Sequence, residues 1–363
     1  MYSYNFLLRV IPCATLVLIL ATPNVGEAYE KSIPSPHPYS ARAIITDDLD
    51  KATETPDEGA ASAYPFQAQP HICLASPVAK PIEIDNSELA IVQHFIDCLR
   101  LADDSRATTL LSSYPKILDF GYILDGDDEG LSFAHVAAAN GNLSTLKYIL
   151  TLKPELTYQR TQDNETILHQ ATLHKQLATV KFLCKKFSPL VTEVDYEGNT
   201  ALHTAASNGI VEIFNYLSTR FPELLLKKDD YGYTPLLAAA YDGQLAIINL
   251  VLQNFSSLIG LERNKFGHTV LHCLCGYYSQ NIHFEPELPK TINNFCRLYP
   301  EALTIKSTKD LIVSYEPGQE FTIKANSTPY QLAQQRRHHG LALIFRLQHE
   351  KYRSAITARN LMP

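Results

Sequence analysis

Five short signatures recur along the chain, each a glycine or asparagine followed two residues later by serine or threonine. They are Gly130 with Ser132, Asn164 with Thr166, Gly198 with Thr200, Gly232 with Thr234 and Gly267 with Thr269. Their spacings are 34, 34, 34 and 35 residues. A fixed period of this length means one small unit repeated, each copy burying its apolar face against its neighbours. A second marker runs in phase: an aromatic followed by a turn residue at Tyr114-Pro115, Phe187-Ser188-Pro189, Phe221-Pro222, Phe255-Ser256 and Tyr299-Pro300. Within the unit from Gly198 to Gly209, Thr200 is placed to cap a short helix. Leu202, Ala205 and Ala206 give that helix a narrow apolar face, and Gly209 permits the left-handed turn that ends it. A second helix, from Val211 to Leu217, returns antiparallel.

The run Thr200-Ala201-Leu202-His203-Thr204-Ala205 resembles the ankyrin repeat signature T-P-L-H-x-A, with Ala201 where proline is usual. The resemblance covers about residues 87 to 355. It implies an all-α ankyrin-repeat solenoid of six or seven helix pairs, with inner helices starting near Phe133, Ile167, Ala201, Pro235 and Val270. Outer helices are expected near Leu143, Leu177, Val211, Leu245 and Pro289. The ordered part opens with a degenerate N-terminal capping repeat over 86–125, followed by five repeats over 126–306. Residues 307–325 read as a β-hairpin insertion, because Leu311 to Tyr315 and Glu320 to Lys324 are β-rich and flank Pro317-Gly318. A C-terminal capping repeat over 326–356 and a tail over 357–363 complete the array.

The amino end follows other rules. In residues 1–28, Arg9 precedes the apolar run Val10 to Ala21, and small residues end at Ala28. A core of about twelve apolar residues suits a signal peptide and falls short of the roughly 20 that span a bilayer. Processing and secretion are therefore expected, with no stable membrane insertion afterwards; the alternative is a membrane-anchored, periplasmic protein. Residues 29–85 read as a flexible linker, since Glu30 to Ile84 holds eight prolines, Ser/Ala/Thr clusters and no lasting apolar period.

The formal charge of −7 argues against general nucleic-acid binding, which needs a basic footprint on phosphates. Of seven cysteines, Cys13 lies in the targeting segment. The other six lack a disulfide framework, and most of them read as reduced core residues. His135, His169, His203 and His272 occupy the fourth signature position, where the resemblance implies a ring bonded to backbone and to the motif threonine, a fastener rather than a catalyst. His268, His272, Cys273, Cys275 and His283 form the densest metal-capable set, but cysteines two apart on a helix point about 200° apart, unlike a zinc pair. His94 and Cys98 share a helix face without an orienting carboxylate or oxyanion site, so a core cysteine beside a surface histidine is the simpler reading. The run Arg336-Arg337-His338-His339 reads as a solvated helix end. Neither cofactor, metal nor catalytic residues are expected; an enzyme using the repeats to bind substrate is the competing class.

The informative column is the residue just before each register position: Glu129, Asp163, Glu197, Tyr231 and Phe266. Asp127, Asp128, Glu165 and Asp195 reinforce its acidic half, and Tyr196, Tyr233 and Tyr241 its aromatic half. Exposed aromatics gathered on one edge suit a protein interface. The resemblance implies that loop tips and inner helices form a concave binding face, here for a partner with a basic patch. An export signal joined to such an array is similar to secreted ankyrin effectors of intracellular bacteria acting in a host cell. A monomer is expected.

Overall fold

The computed structural model describes residues 86–120, 122–123, 131–259, 261–278, 285–308, 311–314, 320–323 and 325–360. The expected targeting segment and linker lie outside the described residues, as do the loop carrying Asp127, Asp128 and Glu129, and His283. The chain divides into two compact units. The second, residues 12–83 with 312–321, is described only at 312–314 and 320–321. The described residues of the first fall within 84–311 and 322–363, and they hold all of the helices.

The elements of this first unit are short helices in antiparallel pairs: α1 (Asn86–Arg100) with α2 (Asp104–Ser113), α3 (Phe133–Ala139) with α4 (Leu143–Leu152), and α5 (Ile167–Leu173) with α6 (Leu177–Lys186). The series continues with α7 (Ala201–Ser207) and α8 (Val211–Arg220), α9 (Pro235–Tyr241) and α10 (Leu245–Asn254), and α11 (Val270–Tyr278) and α12 (Leu288–Leu298). It ends with α13 (Pro329–Gln335), α14 (His339–Lys351) and α15 (Arg353–Asn360). The first helix of each pair stacks on the first helix of the next, from α3 through α5, α7, α9 and α11 to α13. Alanines make that approach possible: Ala137, Ala171, Ala205, Ala239 and Ala333 are all fully buried. The second helices bring the larger side chains, among them Leu146, Leu183, Phe214, Val251, Phe295 and Phe345. Burying each of these is worth about 1.5–3 kcal/mol.

Each turn has a sequence reason. Thr166, Thr200 and Thr328 close capping boxes at the starts of α5, α7 and α13. The aromatic that follows a second helix is its C-cap, as Phe187, Phe221 and Tyr299 show, and a proline in the first two positions of the next segment opens a 3-10 turn: Ser188–Thr192, Pro222–Leu226 and Pro300–Leu303. The residue between paired helices is left-handed: Gly141, Lys175, Gly209, Gly243 and Arg337 all have positive φ. Arg336 caps α13 and His338 caps α14, so the basic run is this helix-pair turn.

Two features differ from expectation: a short first pair of strands, and a last helix in place of a tail. Strands β1 (Tyr122–Ile123) and β2 (Leu131–Ser132) pair antiparallel ahead of α3. Strands β3 (Leu311–Ser314) and β4 (Glu320–Ile323) form a two-stranded sheet, with residues 315–319 outside the described ones. Where a tail was expected from residue 357, α15 continues to Asn360 and packs on the Pro300–Leu303 turn. Among the described residues, no helix is long and apolar enough to cross a membrane.

Candidate partner-binding face

The loops that join successive helix pairs are folded by one side-chain oxygen each. Asp195 Oδ1 accepts the N–H groups of Glu197 and Asn199 at 2.9 and 2.8 Å. Asp229 Oδ1 accepts those of Tyr231 and Tyr233 at 2.9 and 2.7 Å, and Asn264 Oδ1 those of Phe266 and His268 at 3.0 and 2.9 Å. Thr161 holds the same place one loop earlier, accepting the Glu165 N–H at 3.1 Å. These are Asx-type turns, in which the side chain substitutes for a backbone acceptor.

The turns then join to one another. The carbonyl of Asp163 accepts the N–H of Tyr196 at 3.2 Å, Glu197 that of Asp230 at 2.9 Å, Tyr231 that of Lys265 at 3.0 Å and Phe266 that of Thr308 at 2.9 Å. Gly198 is needed for this approach, because its φ is +80° and a Cβ there would lie 2.8 Å from the Asp230 nitrogen. The backbone ladder therefore sets Asp163, Glu197, Tyr231 and Phe266 in one row, each bonded through its main-chain carbonyl.

Their surroundings differ. Asp163 is exposed, while Glu197, Tyr231 and Phe266 are half-buried. Glu197 also accepts from Asn199 Nδ2 at 3.1 Å. Tyr196 is 71% exposed. Tyr233 departs from expectation: it is only 9% exposed, because its ring packs edge-on against half-buried Tyr241, centroids 5.5 Å apart. It supports the face rather than forming it. Asp195 likewise turns its carboxylate onto its own loop. Glu165 accepts from Gln170 Nε2, and burial, reinforced by the charges of Asp163 and Asp195, pushes its carboxyl up to about 7.

Sequence reasoning named Tyr196 but missed Asp230, Lys265 and the second row the three form. Tyr196, Asp230 and Lys265 all donate the ladder N–H, and all three are exposed. The 34- and 35-residue offsets between them carried the signal. This row places an acid and a base beside Tyr231 and Phe266, so the division into an acidic and an aromatic half holds for the first row alone.

The signature histidines hold the loops from beneath. In His169, His203 and His272, Nδ1 receives the N–H of the motif threonine at 3.2, 3.2 and 3.3 Å. Nδ1 therefore carries no proton, and Nε2–H donates to the carbonyl of the next loop: Asn199 at 3.0 Å, Tyr233 at 3.1 Å and Ser327 at 3.0 Å. His135 stands 2.8 Å from Ser132 Oγ, but its buried Nε2 has no hydrogen-bond partner, so it does not bridge to the next loop as the other three do. Burial lowers His135 and His272 to about 4, so both rings are neutral at pH 7.

Cys98, Cys184, Cys273, Cys275 and Cys296 are buried free thiols, and burial raises Cys184, Cys275 and Cys296 to about 12. Such thiols are inert nucleophiles. Among the described residues, no group of three or more His, Cys, Asp or Glu is placed to hold a metal ion. His94 is exposed beside buried Cys98, whose thiol is raised by burial rather than activated.

A family model described as "Ankyrin repeats (3 copies)" matches residues 134–227 and 196–265. The solved structure of an ankyrin repeat domain from Acinetobacter baumannii AYE is 17% identical, with a TM-score of 0.44, covering 59% of this chain and 96% of that one. No curated protein matches the chain. The stacked helix pairs, the loop ladder, the threonine-histidine fasteners and the family match agree: residues 134–265 match ankyrin repeats, and the fold is all-α and ankyrin-type.

Proposed function

We propose that the chain is a protein-binding scaffold whose working surface is the row of loop tips with the adjoining inner helices. The ladder from Asp163 to Thr308 carries this reading, because it holds Asp163, Glu197, Tyr231 and Phe266 in line at little entropic cost on binding. Acids at one end suit a partner with a basic patch, drawn in by long-range attraction. The half-buried aromatics suit anchors that lose their remaining water contact on binding. Glu129 extends the acidic end on register grounds alone.

The scaffold is exported through its N-terminal segment and acts as a secreted bacterial effector inside a host cell. The apolar run Val10 to Ala21 and the small residues up to Ala28 support this reading. Sequencing the amino terminus of the protein recovered from its native compartment tests it. An end near Tyr29 supports processing and export, whereas an intact Met1 on membrane-bound protein overturns it in favour of an anchored form.

A further inference from the structure

Helix α11 meets the last helix pair through two stacked imidazoles. His268 and His272 have centroids 5.5 Å apart and planes 7° from parallel, and they are 3% and 1% exposed. His272 bonds across the joint, since its Nε2–H acceptor, the Ser327 carbonyl, opens the last unit. Ser327 is also tied by Ser307, which donates its N–H to that carbonyl at 3.0 Å. His268 is unlike its counterparts: the equivalent loop positions hold Leu131, Glu165, Asn199, Tyr233 and Ser327. Its ring touches Phe266 at 6.0 Å, and its buried Nε2 has no hydrogen-bond partner.

The charges facing this pair are of the wrong sign for a proton. Arg336, whose Nη1 donates to the Gly276 carbonyl at 3.3 Å, acts on His268 from the α13 side, and each ring opposes a charge on the other. Arg263 acts on His272 from the loop before α11. Asp242, at the end of α9, acts on the Cys273 thiol. Cys273 and Cys275 on α11 itself are buried and protonated. Burial lowers His169 too, and Arg160 opposes its charge, but there the carboxylates of Asp195 and Glu193 favour the charged form, which no carboxylate does for His268 or His272.

We propose that this joint is an acid-released latch: proton uptake by the stacked His268 and His272 frees the last helix pair, α13 and α14, from α11 while α5 to α10 stay folded. A proton on His272 Nδ1 would face the Thr269 N–H, donor against donor, where a hydrogen bond now stands. A proton on His268 would be a buried cation beside Arg336. Burial first, and the nearby cations after it, hold His268 at about 3 and His272 at about 4. Both lie below the free value of about 6.5, so the joint has full stability above that pH and loses it as pH falls toward the folded values. At pH 5 each ring that regains an ordinary pKa on opening favours the open form about thirtyfold, and the two together about a thousandfold.

Amide hydrogen exchange of the full chain at pH 7.5 and pH 5, corrected for intrinsic rates, tests this. Residues 329–351 are expected to lose protection by thirtyfold or more on acidification, by about a thousandfold if both rings open, while residues 167–254 change little. The His268→Phe variant keeps the ring stack and takes no proton, so its acid response should shrink by about thirtyfold. Equal loss of protection in both segments, or an undiminished response in His268→Phe, overturns the latch. Should that variant fail to fold, NMR titration of the His268 ring in the parent decides. A ring that stays neutral to pH 5 while exchange rises supports the latch; one that titrates near 6.5 with exchange unchanged overturns it.

Discussion

His203 joins two loops with one neutral ring. Its Nδ1 takes the Thr200 N–H at 3.2 Å, and its Nε2–H reaches the Tyr233 carbonyl at 3.1 Å, 30 residues along the chain. Because the ring is buried, both bonds form where water cannot replace them. Removing it in His203→Ala leaves the Thr200 N–H without that acceptor and is expected to cost about 1–3 kcal/mol. Urea unfolding should show a lower midpoint at constant slope; an unchanged midpoint would mean that the ring does not bridge the loops. The same substitution should leave partner capture intact, since the ring is 1% exposed. The fastener role was legible from register, because a side chain at a fixed place in a repeated unit meets the same neighbours each time. The exposure of Tyr233 was not legible. It shares a loop with Tyr231, and its ring is buried where it packs against Tyr241, while that of Tyr231 is half-buried.

Helix α4 shows how neighbouring units support each other's ends. Its own N-cap residue, Asn142, makes no side-chain cap and instead donates Nδ2 to the Leu99 carbonyl at 2.7 Å. Asp104, from the preceding helix pair, supplies the cap: Oδ2 accepts the Ser144 N–H at 2.8 Å, and Oδ1 accepts the Thr145 N–H and Oγ1–H at 2.7 Å each. Burial alone would raise the Asp104 carboxyl, but the bonds from Thr145 and Ser144 prevail and lower it. A lowered carboxyl contributes stability above its unfolded value near 3.9 that is lost as pH falls through the folded one. Asp104→Ala is expected to cost about 1–2 kcal/mol, as for a lost helix cap. Calorimetry at pH 7 should show the loss, and a deficit that does not shrink as pH falls below the unfolded carboxylate value would contradict the assignment to the ionised carboxylate. The sequence revealed the helices because apolar spacing, capping threonines and turn glycines repeat together. It did not reveal Asp104, whose partners lie 40 and 41 residues away, nor α15, which carries no register mark.

At the scale of the whole molecule, the loop ladder makes the candidate face a property of the stack and not of any single unit. Asp163 and Phe266 belong to different units, yet each is placed by a backbone bond to the next loop. Acids at Asp163 and Glu197 act at long range, where attraction raises encounter rates and salt screens it over about 8–10 Å. The aromatics act only after contact, so they govern dissociation. Tyr231→Ala with Phe266→Ala is therefore expected to weaken binding by about 2 kcal/mol or more, mainly through faster dissociation. Charge reversal at Asp163 and Glu197 should slow association and flatten its dependence on salt. Association and dissociation rates for a partner recovered on residues 86–356, measured at two ionic strengths, separate the two effects. Substitutions at Glu212 and Asn215, exposed on α8, serve as the control. If these abolish binding while both loop sets bind like the parent, the partner sits on the outer helices, and the ladder is scaffolding without a recognition role.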